Sequence, residues 1–262
     1  MSDLTAMRAS CFCTKERKQD LWRLIPTWLH HHPTKPLNIT SDRETYYEIS
    51  KILQTLNDAE GVIVEIYSDE LQPPNMDHVD SHDSYWNKEQ MWKKVKAFER
   101  VLMMYKEPTL CIDADIVFAG SIDSKFENVE LVLSEHNYPK KSTVEINGES
   151  IKKVKYFGKY NGGMVLAKHS EVATKWLELY ENNVGGFMEQ KCLENLTSYF
   201  DFDVFSDKQN WGHWRELDDK KTAKSYHQRN YPHDLNDIQK VIWDNCEEAV
   251  NEAVEALTSS AN

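Results

Sequence analysis

Short apolar runs recur along the first half of the chain with helically spaced segments between them, and this alternation restricts the fold more than any other feature. The runs are Ala9 to Thr14, Leu37 to Thr40, Val62 to Tyr67 and Thr109 to Ile112. The first gap carries Leu21, Trp22, Leu24, Ile25, Trp28 and Leu29 at helical spacing and breaks at Pro33 and Pro36. The second opens on Ser41-Asp42-Arg43-Glu44, which reads as a capping box, and continues through Ile49, Ile52, Leu53 and Leu56. A polar stretch from Ser68 to Ser84 reads as a surface loop near the site. The helix after it is expected from Asn87 to Tyr105, with Met91, Val95, Phe98, Val101 and Leu102 on its buried stripe. Strands joined by helices in this way are βαβ units, so the expected fold is α/β, a mostly parallel sheet with flanking helices.

The chain of 262 residues, 40% of them hydrophobic, fits one large domain. We place that domain at residues 1–232. Residues 233–262 form a C-terminal helix with Ile238, Val241, Ile242, Val250, Val254 and Leu257 on one face, which docks on the domain or on a second copy in a homodimer. The second half is less regular, with strands at Leu131 to Ser134 and Gly163 to Ala167 and a Lys-rich hairpin around Asn147-Gly148.

Charge and composition remove several function classes. The 43 Asp and Glu outnumber the 31 Lys and Arg, giving a net charge of −12 that repels polyphosphate backbones, so nucleic acid is not an expected partner. No apolar run reaches the ~20 residues of a membrane helix, and Met1 to Arg8 lacks an apolar core of the signal-peptide type. The expected location is the cytoplasm. Five scattered cysteines, an odd number, fit reduced thiols. His30, His31 and His32, ahead of Pro33, read as a solvated helix end.

The chemistry points to Asp113 and Asp115. The functional loops of a parallel α/β sheet gather at the carboxyl ends of its strands, and these two carboxylates directly follow the fourth apolar run. Two such carboxylates one residue apart repel each other in a low dielectric unless a cation lies between them. Carboxylate ligands favour Mg2+ or Mn2+, which can also bridge to phosphate oxygens.

The segment Leu110-Cys111-Ile112-Asp113-Ala114-Asp115-Ile116-Val117, preceded by a long helix containing Lys96, resembles the Asp-x-Asp region of GT-A glycosyltransferases, with the nearest likeness to the glycogenin-like family 8. The resemblance implies a Rossmann-like GT-A fold in which Asp113-Ala114-Asp115 binds Mn2+ and the donor's ribose and Lys96 contacts the donor. Tyr160-Asn161-Gly162-Gly163-Met164-Val165-Leu166 is similar to the family's strand that approaches the donor sugar, and paired glycines let backbone come close to a ligand. Glu189-Gln190-Lys191-Cys192-Leu193 resembles the acidic-Gln motif that faces the sugar, which makes Glu189 and Gln190 the expected catalytic pair. Ser225-Tyr226-His227-Gln228-Arg229 falls where the family places a metal-binding His, but the family's following Gly and Lys-Pro-Trp run is missing. Arg229 is expected to replace the lost lysine as a diphosphate partner.

What the resemblance implies is a metal-dependent hexosyltransferase that takes its sugar from a nucleotide-diphosphate donor, UDP by analogy, and passes it to a carbohydrate or glycoconjugate with retention. Thr14, at the end of the first strand, is the expected polar contact to the pyrimidine. Trp211, Trp214 and Tyr231 either stack on an acceptor sugar or pack in the core. Two rivals stay open from the residues alone. One is a module that binds a nucleotide-sugar without transferring it; the other is a haloacid-dehalogenase-type phosphatase with Asp113 as nucleophile.

Overall fold

The computed structural model describes residues 7–57, 59–67, 71–77, 88–122, 126, 128–138, 141–146, 148–184, 188–212, 223–228 and 237–259. Its elements run β1 (Arg8–Cys13), α1 (Leu21–His31), β2 (Leu37–Ser41), α2 (Arg43–Thr55), β3 (Val62–Ile66), α3 (Lys88–Tyr105), β4 (Thr109–Ile112), β5 (Ile116–Phe118), β6 (Leu131–Glu135) and the hairpin β7 (Thr143–Ile146) and β8 (Glu149–Lys152). Then come α4 (Lys153–Phe157), β9 (Tyr160–Ala167), α5 (Ser170–Glu181), α6 (Met188–Lys191), α7 (Leu193–Leu196), β10 (Phe202–Val204), β11 (Trp211–Gly212), β12 (Ser225–His227) and α8 (Asp237–Ser259).

The main sheet has seven strands in the order β10-β6-β9-β4-β1-β2-β3. Strands β4, β1, β2 and β3 are parallel, as the βαβ alternation requires, while β9 runs antiparallel between β4 and β6. Both faces of the sheet are covered. Leu110 and Ile112 of β4 with Met164 and Leu166 of β9 join the core under α1 and α2, whereas Cys111, Val165 and Ala167 join the core under α3 and α5. Alternate residues thus enter opposite cores, and that is why these strands read as unbroken apolar runs. A small second sheet, β11-β12-β5, completes the fold beside the end of β4.

Local chemistry sets the boundaries. Asp42, not Ser41, caps α2, with Oδ1 accepting from the Thr45 N–H at 2.8 Å; such caps contribute about 1 kcal/mol. The histidines before Pro33 are not all solvated. His32 is buried against Trp28 and Phe118, and its Nε2 accepts from the Ile122 N–H at 3.1 Å. Burial, helped by Lys35 and His31, pushes its pKa down to about 3.

Helix α8 lies on α1, where Arg23 pairs with Glu247 at 2.7 Å and stacks over Trp243. Among its described side chains Ile242, Cys246, Ala249 and Ala253 are buried and Val250 and Leu257 pack partly buried against the cores, while Val254 is exposed. All five cysteines are free and buried. Among the described residues no helix is long and apolar enough to cross a membrane.

Candidate functional site

The site forms where β4 ends, and three strands from distant parts of the chain meet there. Strand β4 delivers Asp113, whose N–H extends the ladder to β9 by donating to the Gly163 carbonyl at 3.0 Å. Two residues later Asp115 leads into β5, and β12 pairs antiparallel with β5 so that His227 lies opposite Ile116. The Gln228 N–H then donates to the Asp115 carbonyl at 2.9 Å. This register brings residues 112 positions apart in the sequence, Asp115 and His227, side by side.

His227 Nε2 is 3.0 Å from Asp115 Oδ1 and 3.7 Å from Asp113 Oδ2. One ligand atom from each of the three residues lies within 4.8 Å of the others. The second oxygen of each carboxylate is held by a cation of the chain itself: Asp113 Oδ1 by Lys94 at 2.7 Å and Asp115 Oδ2 by Arg17 at 2.7 Å. Such outer partners orient metal ligands. Two octahedral ligands each about 2.1 Å from a cation are about 3 Å apart, so the spacing suits a small divalent ion. A donor set of two carboxylate oxygens and one imidazole nitrogen fits Mn2+ or Mg2+.

The Asn-Gly-Gly segment of β9 makes this crowding possible. A Cβ on Gly163 would lie 2.4 Å from His227 Cε1, and one on Gly162 would lie 2.8 Å from Glu189 Oε1. The glycines therefore admit the protein's own side chains close to the backbone. Asn161, on the strand expected to approach the donor sugar, is 2% exposed and is held by the frame: its Oδ1 accepts from the Gly163 N–H and from Asn210 Nδ2, and its Nδ2 donates to His136 Nε2.

The lysine that meets Asp113 is Lys94, two residues before Lys96, the one expected to contact the donor. Lys94 Nζ donates to Asp113 Oδ1, to the Gly162 carbonyl at 2.8 Å and to Glu189 Oε1 at 3.1 Å. Burial alone would lower its pKa, but the charges of Asp113 and Glu189 outweigh this and raise it, so it stays charged. Lys96, two residues on and pointing elsewhere, pairs with Glu99 at 2.5 Å. Only the position on the helix separates the two lysines, which composition could not do.

The remaining expected residues divide. Glu189 and Gln190 are both buried beside Gly162; Gln190 Nε2 donates to the Phe157 carbonyl at 3.1 Å, and Glu189 Oε2 has no hydrogen-bond partner among the described residues. Thr14 lies at the carboxyl end of β1, next to β4, and its carbonyl accepts from the Arg17 N–H at 2.9 Å. Ala114 is buried in the core between the two aspartates. Trp211 is a core residue packed edge-on to Tyr226. Arg229, Trp214 and Tyr231 lie outside the described residues. Sequence reasoning missed Arg17, Lys94, His136 and Asn210, which lie outside the motifs that guided it.

No protein-family model and no curated protein matches the sequence. Solved structures do match. The chain is similar over 97% of its length to the bifunctional glycosyltransferase WbbM, with TM-score 0.60 and 10% identity, and spans 52% of that protein. Galactosyltransferase LgtC, in complex with donor and acceptor sugar analogues, matches over 96% of both chains with TM-score 0.58 and 13% identity. Mouse xyloside xylosyltransferase 1 matches with TM-score 0.55 and 13% identity, covering 88% of this chain and 100% of that one.

The fold is that of the GT-A glycosyltransferases. At this identity the likeness speaks for architecture, and the GT-A sheet puts Asp113 and Asp115 at the carboxyl end of a central strand, where such folds bind ligands.

Proposed function

We propose that the protein is a metal-dependent glycosyltransferase that moves a hexose from a UDP-sugar to a carbohydrate or glycoconjugate acceptor with retention. The observation that carries this reading is the Asp113, Asp115 and His227 cluster at the end of β4 in a GT-A fold. These three residues would hold Mn2+ or Mg2+, which when bound supplies positive charge to the diphosphate as it leaves.

The chain's own residues do the rest. Lys94 balances Asp113 and Glu189, and Arg17 sits at the exposed side of Asp115, where its guanidinium can turn toward phosphate oxygens. As the bond from the anomeric carbon to the diphosphate breaks, the sugar becomes oxocarbenium-like, and a bond to the acceptor oxygen forms. Glu189 makes a poor general base, because it is 3% exposed and its charge is already balanced by Lys94 at 3.1 Å. Retention needs no such base: the acceptor proton passes to the departing diphosphate oxygen. Gln190, whose Nε2 is anchored on the Phe157 carbonyl, is the side chain proposed to face the sugar. LgtC offers a parallel, since one of its solved structures is an active-site glutamine-to-glutamate mutant.

UDP and hexose rest on the likeness to glycogenin-like enzymes and on LgtC being a galactosyltransferase. Thr14 and Arg229 complete the proposed donor contacts. A dehalogenase-type phosphatase would carry its nucleophile on the first strand, whereas this pair follows the fourth. Calorimetric titration with UDP and GDP, each with Mn2+, tests the donor. UDP should bind tighter; GDP binding tenfold tighter, about 1.4 kcal/mol, would overturn the choice of base.

A further inference from the structure

We infer that Asn210 is the positioning residue for His227, fixing the imidazole so that Nε2 faces the two aspartates, and that Asn161 and Ser134 act through it. This rests on the metal reading above. The inference follows from a chain of buried hydrogen bonds read outward from a backbone donor of fixed direction. The Gly163 N–H donates to Asn161 Oδ1 at 2.8 Å, which fixes the Asn161 amide. Its Nδ2 must then donate to His136 Nε2, 3.2 Å away, so His136 carries its proton on Nδ1 and donates to the Gly158 carbonyl at 3.0 Å.

Asn161 Oδ1 also accepts from Asn210 Nδ2 at 2.9 Å, and the same Nδ2 donates to Ser134 Oγ at 2.9 Å. Both contacts turn the Asn210 carbonyl oxygen toward His227, where it accepts from Nδ1–H at 3.1 Å. Nε2 is thereby presented to Asp113 and Asp115. Asn210, Ser134 and His227 are at most 1% exposed, so water does not compete for these bonds.

The backbone around Asn210 is built for this side chain. Its φ of 50° is left-handed, a conformation that asparagine adopts more readily than most residues, and its N–H donates to Ser225 Oγ at 2.7 Å, two residues before His227 in β12. The loop bearing Asn210 is therefore fastened at both ends of the network, to β12 by its backbone and to β6 and β9 by its amide.

The test uses the full-length protein and two variants with opposite expectations. Asn210→Gly keeps the left-handed backbone and removes the acceptor, whereas Asn210→Asp keeps an acceptor for Nδ1–H. In 15N-histidine-labelled protein without metal, His227 should show a slowly exchanging Nδ1–H signal in wild type and Asn210→Asp, and lose it in Asn210→Gly. Mn2+ affinity, read from the free-ion paramagnetic resonance signal, should fall tenfold or more in Asn210→Gly, in the range typical for lost outer partners, and should be no weaker than wild type in Asn210→Asp. A wild-type His227 without a proton on Nδ1, or an Asn210→Gly protein that binds Mn2+ as wild type does, overturns the inference alone. Absence of Mn2+ binding in wild type overturns the metal reading first.

Discussion

The two halves of β9 are equally buried yet do different things. Met164 to Ala167 alternate between the two cores, while Asn161 to Gly163 turn their polar groups onto Asp113, Lys94, Asn210 and His136. The partner strand marks the change as well. Pairing of β6 with β9 slips between Leu133 and Ser134, from Val165 to Asn161, so that a bulge begins where the polar frame does. Burial therefore does not separate core from site in this protein. What separates them is whether buried polar groups hold one another in a fixed order.

The largest expected effect on stability lies in the polar half. Lys94→Met leaves Asp113 and Glu189 without their shared cation, and breaking a buried pair in this way costs about 3–5 kcal/mol. Denaturant unfolding would measure it, and Mn2+ should recover part of the loss by binding the folded state. In the apolar half Leu166→Ala should cost about 2–5 kcal/mol through a cavity. The difference is that Mn2+ affinity of the folded Leu166→Ala protein should equal that of wild type.

His32 sharpens the comparison, because it is a buried polar residue far from the site in sequence and committed to Ile122 rather than to the frame. Its folded pKa of about 3 lies below the usual histidine value, so the unfolded chain takes up the proton first as pH falls. Stability from this residue is complete above about pH 6.5 and is lost progressively toward pH 3, by on the order of 5 kcal/mol. Replacing His32 with Gln should flatten the pH dependence of the melting temperature over that window and leave Mn2+ affinity unchanged. The smallest effect is expected from Lys96→Met, about 1 kcal/mol or less, since Lys96 is a partly exposed partner of Glu99. A large loss of donor binding in Lys96→Met would return Lys96 to the site and break the distinction from Lys94.

These contrasts show what the sequence can carry. The parallel strands were legible because both faces of the sheet are buried, which writes each strand as an apolar run between helices with a clear period. Asp113 and Asp115 were legible because they follow such a run directly. The start of β9 was harder, since Asn161 and Gly162 look like a turn until their neighbours are known. Lys94 against Lys96 could not be decided by spacing, because the choice depends on how α3 is rotated over the sheet. Asn210 carries no motif; its role depends on a loop meeting β6, β9 and β12 in space. The capping position moved by one residue, from Ser41 to Asp42, as helix ends commonly do.

The central claim is that Asp113, Asp115 and His227 form a metal centre for nucleotide-sugar transfer, and Asp115→Asn tests it most directly. Release of UDP from UDP-hexoses across an acceptor panel would be measured with and without Mn2+, in wild type and in the variant, with melting curves to establish that both are folded. Turnover by wild type should require Mn2+ and fall by about three orders of magnitude in Asp115→Asn, because the substitution removes a charge that acts where the leaving group develops its own. Unchanged turnover by Asp115→Asn at saturating Mn2+, or tight UDP binding by wild type with no sugar transferred over long incubation, would contradict the account.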